Sequence, residues 1–555
     1  MSPASPPPVP VPIARGTRGA VVAPHHLATQ AGLGVLRAGG SAVDAAIATN
    51  AALAVVMPSA CGLGGDAFWL IRDERTGDLV GLNGSGRSAA TASADGILAA
   101  GYETMPRRGP LSITVPGAVR SWADAHARFG RLGLADVLAP AIELAAGGFA
   151  ASDGYATAVE RAWAIAADHL DATARGGFGA SFRLRDRPWR AGEIVRRPAL
   201  ATTLGRLADV GLDDLYDGEL AERQARFLES SGSPLRLADL EAHRSTWTEP
   251  IMTSYRGTAV ATHPPNSSGV VALEILNVLD VFAPPRPGET ADARWIHLAI
   301  EAAKLAMADR DAELTDPETR AIPLERLLSR AHAETLAGSI DPRRARRPGL
   351  SSAPIGGGTV ALATVDAEGN AVSLIESNYM GFGSLVADPG TGIHYQNRGA
   401  YFSVDAGHPN VLAPAKRPLH TLLPWMLFRD AGTGARPWVV GGSMGGDAQP
   451  QICAEVVSAL VDRGLDIRSA VAGPRWFVEP ADHFAPPVEV RIEPRFGPDL
   501  VPQLERLGHP VTPTAPFDSL LGHCHLVELV DGGPAAGGSL AGATDPRSEG
   551  LPAVW

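Results

Sequence analysis

The chain is poor in cysteine, in charge and above all in basic charge. Three cysteines (Cys61, Cys453, Cys524) in 555 residues exclude a disulfide scaffold and a CxxC zinc ribbon. Charged side chains make up only 19%, under the ~25% of ordinary domains, which excludes a disordered or charge-tract chain. Lys and Arg number 48 against 60 Asp and Glu, a balance of −12. With no basic domain to neutralise phosphates, nucleic acid is not an expected partner. No uncharged apolar run reaches the ~18 residues of a membrane span, so no membrane partner is expected either. The N-terminus has no charged region ahead of an apolar stretch, so residues 1–18 read as a flexible Pro-rich arm rather than a signal peptide. A cytoplasmic protein is the expectation.

What the chain does have is apolar mass (45%), 62 glycines and 46 prolines without a period, the composition of a large core with many tight turns. Segment 24–38 reads as a helix stopped by Gly39-Gly40. Ser41-Ala-Val-Asp44 reads as a capping box opening an Ala-rich, buried helix that ends near Met57-Pro58. Phe68-WLIR and Asp78-LVGL form a hairpin signal. Residues 117–245 are mostly helical in pattern, and 295–310 is an amphipathic helix. Patterning collapses over 341–358 (DPRRARRPGLSSAPIGGG). Beyond it come strand-like runs at 359–365, 371–376, 437–441 and 524–530, with one helix at 448–463. Helices dominate the first two thirds and strands the last third.

Several short patterns could carry chemistry. Gly441-Gly-Ser443-Met-Gly445 has the form of a nucleophile elbow between strand and helix, with His483, His509 and His523 downstream as candidate bases. The same turn could instead offer the Gly445 and Gly446 N–H groups to an oxyanion. Cys61-GLGGD precedes a strand and follows a helix, the wrong context for a dinucleotide loop, so a tight turn is expected. His25-His26 and His523-Cys524-His525 lack metal-ligand spacing. The junction Gly356-Gly-Gly358-Thr359 runs a loop straight into a strand beginning with Thr. There the Thr359 hydroxyl could cut the Gly358–Thr359 bond. The freed α-amine, with an unperturbed pKa of ~7.7–8.0, could then serve as base for the same hydroxyl.

An ordered set of motifs resembles the γ-glutamyltranspeptidase family of N-terminal nucleophile hydrolases. It comprises Gly39-GSAVDAAIATNAAL, Pro58-SACGLGGDAF, Thr114-VPGAV, His263-PPNSSG, Glu301-AAKLAMADR, Thr359-VALATVDAEGNAVS, Gly381-FGS, Ala413-PAKRPLHTLLP, Gly441-GSMGG and Gly542-ATDPRS. The resemblance spans roughly residues 19–548. It implies an α/β fold, a four-layer αββα sandwich. It also implies a proenzyme that cuts itself into a large subunit (19–358, after the arm) and a small one (359–555), which stay together as a heterodimer. By position the nucleophile is Thr359, the second hydroxyl is Ser377, and the oxyanion glycines are Gly445 and Gly446; this displaces Ser443.

The departures concern substrate. Ser85 stands where the family has a carboxylate-gripping Arg, with Arg87 two residues on. Tyr401 replaces the acid that holds a substrate α-amine, Arg398 stands in place of a Gln, and His420 and Thr421 replace paired serines. A substrate ammonium facing Arg398 would be uncompensated. The expected substrate is therefore a small amide whose acyl group carries a carboxylate and no α-amine, as in the family's oxamate amidases and glutaryl acylases. Asp405 is the alternative acid if the register is off. No metal or organic cofactor is expected. The alternatives are a true γ-glutamyltransferase or glutathione hydrolase, a Ser443 α/β-hydrolase, and an inert relative kept as a binding protein.

Overall fold

The computed structural model describes residues 12–184, 187–285, 291–346, 358–429, 434–479 and 489–555. Most of the patternless stretch before Thr359, Gly356 and Gly357 included, lies outside the described residues, as do His483 and the first eleven residues of the Pro-rich arm.

Local signals in the sequence become real caps and turns. Ser41 Oγ accepts the Asp44 N–H (3.1 Å) and Asp44 Oδ2 accepts the Ser41 N–H (2.9 Å), the reciprocal box that starts the helix Ala42–Val56. Every residue of that helix is buried, as its all-round Ala, Val and Leu content requires. Asp366 and Asn370 close the turn between the strands Gly358–Val365 and Ala371–Tyr379.

Two seven-stranded sheets, antiparallel throughout, stack face to face. The first runs in the order Ala553–Val554, Ala20–Val22, Gly358–Val365, Ala371–Tyr379, Asp66–Arg72, Leu79–Gly84, Thr246–Thr248. The second runs Ala14–Gly16, Ser539–Ala543, Cys524–Val530, Val439–Ser443, Trp425–Phe428, Thr258–Thr262, Ile251–Tyr255. Alternation along each strand divides the apolar residues between two cores. Ala363, Leu70 and Val22 meet Met426, Val440 and Val527 between the sheets. Val360, Leu362 and Trp69 face outward onto a helical layer that includes Ala42–Val56. On the far side Trp425, Leu427 and Val439 pack under Gly269–Leu279, Ala293–Glu313 and Gln449–Val461. The result is the four-layer αββα sandwich. Strands covered on both faces explain why runs such as Thr359-VALATV show no polar alternation.

Two sequence expectations need correction. The last part of the arm is not flexible: Ala14–Gly16 pairs with Gly542, Ala541 and Leu540 at the edge of the second sheet. The helix-rich first part also holds three strands between Thr246 and Thr262, short runs that carry only weak periodicity. In the last third, Ile467–Ala472 and Leu500–Leu507 add helices to the one expected.

Candidate active site

Thr359 opens a central strand of the first sheet, directly opposite Ser377, which in turn lies opposite Asp66. Residues paired across antiparallel strands share a face. Thr359, Ser377 and Asp66 therefore form a row on the face that, further along, is filled by Ala361, Ile375 and Phe68. The row marks the end of the inter-sheet core, where apolar filling gives way to polar groups. All three side chains are buried.

The hydrogen bonds at this end are directional. Ser377 Oγ donates to the Gly358 carbonyl (2.7 Å) and accepts from the Tyr379 N–H (2.7 Å). Thr359 Oγ1 lies 2.8 Å from Ser377 Oγ. A hydroxyl has one proton, and that of Ser377 is committed to Gly358 O, so Thr359 is the donor in the remaining bond. Its lone pairs are left for the adjoining carbonyl carbon. Between Gly358 and Thr359 the register slips by one residue, a bulge at the expected cleavage bond. A Cβ at Gly358 would stand 2.5 Å from the Met380 carbonyl carbon, so glycine is a steric requirement there. Tyr379, Phe382 and Leu385 all have positive φ, a concentration of backbone strain beside the same bond.

The second sheet supplies the facing turn. After Val439–Ser443, Gly445 (φ 150°) and Gly446 (φ 55°) take conformations that favour glycine and lead into the helix Gln449–Val461. Ser443 is buried and donates to the carbonyl of its neighbour Met444 (2.7 Å). None of the candidate histidines among the described residues bonds to it. His509 is taken by His297 (2.7 Å) and Lys304 (3.5 Å), and His523 meets this turn only through its backbone carbonyl, which accepts from Met444 N–H.

The polar residues singled out in the sequence gather on one flank. The Asn397-Arg398 turn is tied to the end of the Ser377 strand, since Asn397 Oδ1 accepts the Met380 N–H (3.1 Å). Arg398 is buried, lies over the Tyr379 ring at 4.1 Å and donates to Thr421 Oγ1 (3.3 Å). Its Nε and Nη2 are buried without a hydrogen-bond partner. His420 Nε2 sits 3.2 Å from Asp66 Oδ2. Burial pushes the Asp66 carboxyl up to about 7, against the pull of Arg398 and of the Gly86 and Gly117 N–H groups. Burial, reinforced by Arg398, pushes His420 well down, so its ring is neutral.

Three expectations change here. Arg87 is half-buried and already engaged by Asp316 (3.3 Å), Glu318 (2.7 Å) and the Ala415 carbonyl, so its guanidinium is not left unpaired as that of Arg398 is. Asp405 is exposed and caps its own loop through Gly407 N–H. Loss of the family acid at Tyr401 does not leave the flank without carboxylates. Tyr401 Oη donates to Asp447 (2.5 Å), which also binds Arg310 (2.8 Å), and Asp66 faces Arg398. Sequence reading missed Asp66, Asp447 and Arg310, although Asp66 lay inside a quoted motif and its register opposite Ser377 was the available clue.

Among the described residues, two groups of ligating side chains lie elsewhere, His297 with Glu301 and His509, and Glu274 with Asp309 and His332. The first is closed by its own bonds and by Lys304 on Glu301 (2.7 Å). In the second, His332 Nε2 bridges the two carboxylates at 3.1 and 2.7 Å. Neither includes Thr359 or its partners. His25 caps a helix, accepting the Leu27 N–H.

Comparison with known proteins places this geometry. A family model described as gamma-glutamyltranspeptidase matches residues 28–555. The glutathione hydrolase-like YwrD proenzyme of Bacillus subtilis is 38% identical over 542 residues, covering 96% of this chain and 98% of the relative. The oxamate amidohydrolase proenzyme of Klebsiella pneumoniae is 38% identical over 551 residues, covering 97% and 99%. A cephalosporin acylase from Bacillus halodurans, known from its crystal structure, superposes with a TM-score of 0.91 at 37% identity, covering 100% of this chain and 99% of that one. The chain belongs to the γ-glutamyltranspeptidase family and is an enzyme of that family.

Proposed function

We propose that the chain is a proenzyme that cuts itself between Gly358 and Thr359 and then hydrolyses, or transfers the acyl group of, a small carboxylate-bearing amide. The observation that carries this reading is the set Thr359 Oγ1–Ser377 Oγ–Gly358 O, joined at 2.8 and 2.7 Å. Before the cut, Ser377 polarises the Gly358 carbonyl while the Thr359 oxygen attacks it; the C–N bond breaks as the departing Thr359 nitrogen takes up the hydroxyl proton, and water then hydrolyses the ester to free the Gly358 carboxylate and the Thr359 amine. After the cut, the Thr359 α-amine takes the hydroxyl proton as the oxygen attacks a substrate amide. Gly445 and Gly446 offer N–H groups to the oxyanion, each such donor typically worth about 3–4 kcal/mol of transition-state stabilisation. Ser377 keeps the hydroxyl oriented. Water or an amine then resolves the acyl ester, and no step calls on a metal or organic cofactor.

Arg398 supports the carboxylate. A buried guanidinium with two unpartnered donors suits a bidentate carboxylate, and the relative named an oxamate amidohydrolase acts on a substrate of that kind. Asp447 is occupied by Arg310 and Tyr401, so it does not replace the family's ammonium-binding acid. Intact mass of the purified protein tests the cut, with fragments of 358 and 197 residues (555 − 358) expected. A panel of γ-glutamyl, glutaryl and oxamate-type amides tests the substrate; the last two should turn over faster. An uncut protein that still turns over amides, or a preference for γ-glutamyl amides, would overturn the respective half.

A further inference from the structure

A cavity of about 240 Å³ opens on Thr359 and Met444, and none of Arg398, Tyr401, His420 or Thr421 lines it. Its walls come from parts of the chain with no role so far: Tyr155 and Ala158 on the helix Asp153–His169, Phe382, and the segment Arg547–Glu549 near the C-terminus. Resting on the Thr359 reading above, we propose that this cavity is the amine side of the active site. It would seat the leaving amine of the amide and, in acyl transfer, the acceptor amine. The ligand class is an organic amine with an apolar body and a cationic group of its own.

The argument is first one of direction. An amide carbonyl held at Thr359 has two substituents that diverge from the reacting carbon. The charged flank around Arg398 is suited to the acyl carboxylate. The remaining substituent is left for the side of Thr359 away from that flank, where this cavity opens on Thr359.

Its chemistry agrees. Tyr155, Ala158, Phe382 and Met444 give apolar surface. Arg547 contributes no usable cation, because Glu493 (2.8 Å), Asp545 (3.0 Å) and two carbonyls engage its guanidinium. His523 is 8% exposed and its Nε2 has no hydrogen-bond partner; burial lowers its pKa to about 4, so the neutral ring can accept from an amine N–H. Glu549 is the one carboxylate among the described residues lining the cavity. It rests against Gly154, where a Cβ would come within 2.7 Å of Oε1, and lies 3.5 Å from His25 Nε2 with its side chain 39% exposed. In the transfer direction the acceptor nitrogen attacks the Thr359 ester carbonyl. A C–N bond forms as the C–Oγ1 bond breaks, and the proton lost by nitrogen returns to Oγ1 through the α-amine.

The test uses the full-length protein and one fixed acyl group, glutaryl. The leaving group is either ammonia, the anilide p-nitroaniline or the diamine cadaverine. Ala158 is half-buried, so Ala158→Phe projects a ring into the cavity. It should lower the ratio of kcat/KM for the anilide over the primary amide at least tenfold. Glu549→Gln should lower the cadaverine-to-anilide ratio about fivefold or more. Self-cleavage by mass checks that each variant has folded, and Ala158→Leu, with a smaller expected loss, covers the case in which the phenylalanine is not tolerated. Leaving-group ratios that stay put while the glutaryl-to-oxamate ratio moves would overturn the proposal by making the cavity an acyl site. Equal losses on all amides would overturn it as well. Activity in Thr359→Ala would instead overturn the nucleophile reading on which the proposal rests.

Discussion

Thr359 stands between two unlike flanks. On one side Arg398, His420, Asp66, Tyr401 and Asp447 crowd into a charged cluster in which two guanidinium nitrogens of Arg398 stand without partners. On the other an apolar cavity carries a single half-exposed carboxylate. The contrast separates two kinds of selectivity. On the proposed assignment, discrimination on the charged flank would be electrostatic, because a substrate that leaves a buried ion unpaired loses affinity steeply. Discrimination on the apolar flank follows size and shape and is more gradual, on the order of 1–3 kcal/mol per methylene-scale misfit.

Removing the reacting atom that both flanks share should give the largest effect. Thr359→Ala is expected to stop both self-cleavage and turnover, a loss of about a thousandfold or more, whereas Thr359→Ser retains part of each; mass spectrometry and an amide assay read both. Next, Arg398→Ala should raise KM for a carboxylate-bearing amide by roughly 30-fold or more with little change for a neutral amide. Arg398→Lys should not restore it, since an ammonium cannot form the bidentate pair. A neutral amide that suffers equally would show Arg398 to be structural.

A smaller effect comes from Asp66. Its pKa is raised to about 7, so it is largely protonated below neutrality. As pH rises through 7 it becomes an anion facing Arg398 and competes with a bound carboxylate. KM for the carboxylate substrate should therefore rise above pH 7, and Asp66→Asn should flatten that rise while the neutral amide shows neither. Arg417, His420 and Glu376 also face Asp66, so the KM profile of a His420→Gln variant separates the contributions. Gly358→Ala should slow self-cleavage severalfold through its clash with Met380, visible as uncut chain after purification. The smallest change is expected from Ser443→Ala, within about threefold in activity. A dead Ser443→Ala beside an active Thr359→Ala would move the chemistry to the other sheet.

The two flanks also differ in how far the residues announced them. The capping box at Ser41, the strand starting at the Gly358–Thr359 junction and the Gly-rich turn at 441–446 are local patterns, and local patterns survive into the fold. Arg398 and Tyr401 were found because a motif position changed. Asp447 was missed because its partners Arg310 and Tyr401 lie 137 and 46 residues away in sequence. The partners of Arg87 were hidden for the same reason: Asp316 and Glu318, which engage its guanidinium, lie over two hundred residues on. The apolar cavity could not be read from any one motif, since its walls come from segments as distant as Val56 and Glu549.

The order of strands has a consequence for assembly. Gly358–Val365 is flanked by Ala20–Val22 and Ala371–Tyr379, and Ala20–Val22 also pairs with the last strand, Ala553–Val554. Each sheet thus interleaves strands from before and after the Thr359 junction. A cut there would sever one backbone bond at the first residue of a strand and leave the ladder from Thr359 onward intact, leaving two polypeptides woven through each other that cannot part without unzipping both sheets. Neither piece could build a complete sheet alone. Thr359, Ser377 and the bulged Gly358–Thr359 bond come together through strands drawn from both sides of the junction, so scission, if it follows the proposed route, would act as the molecule's own proofreading mark: a chain that has cut itself has, by that fact, folded.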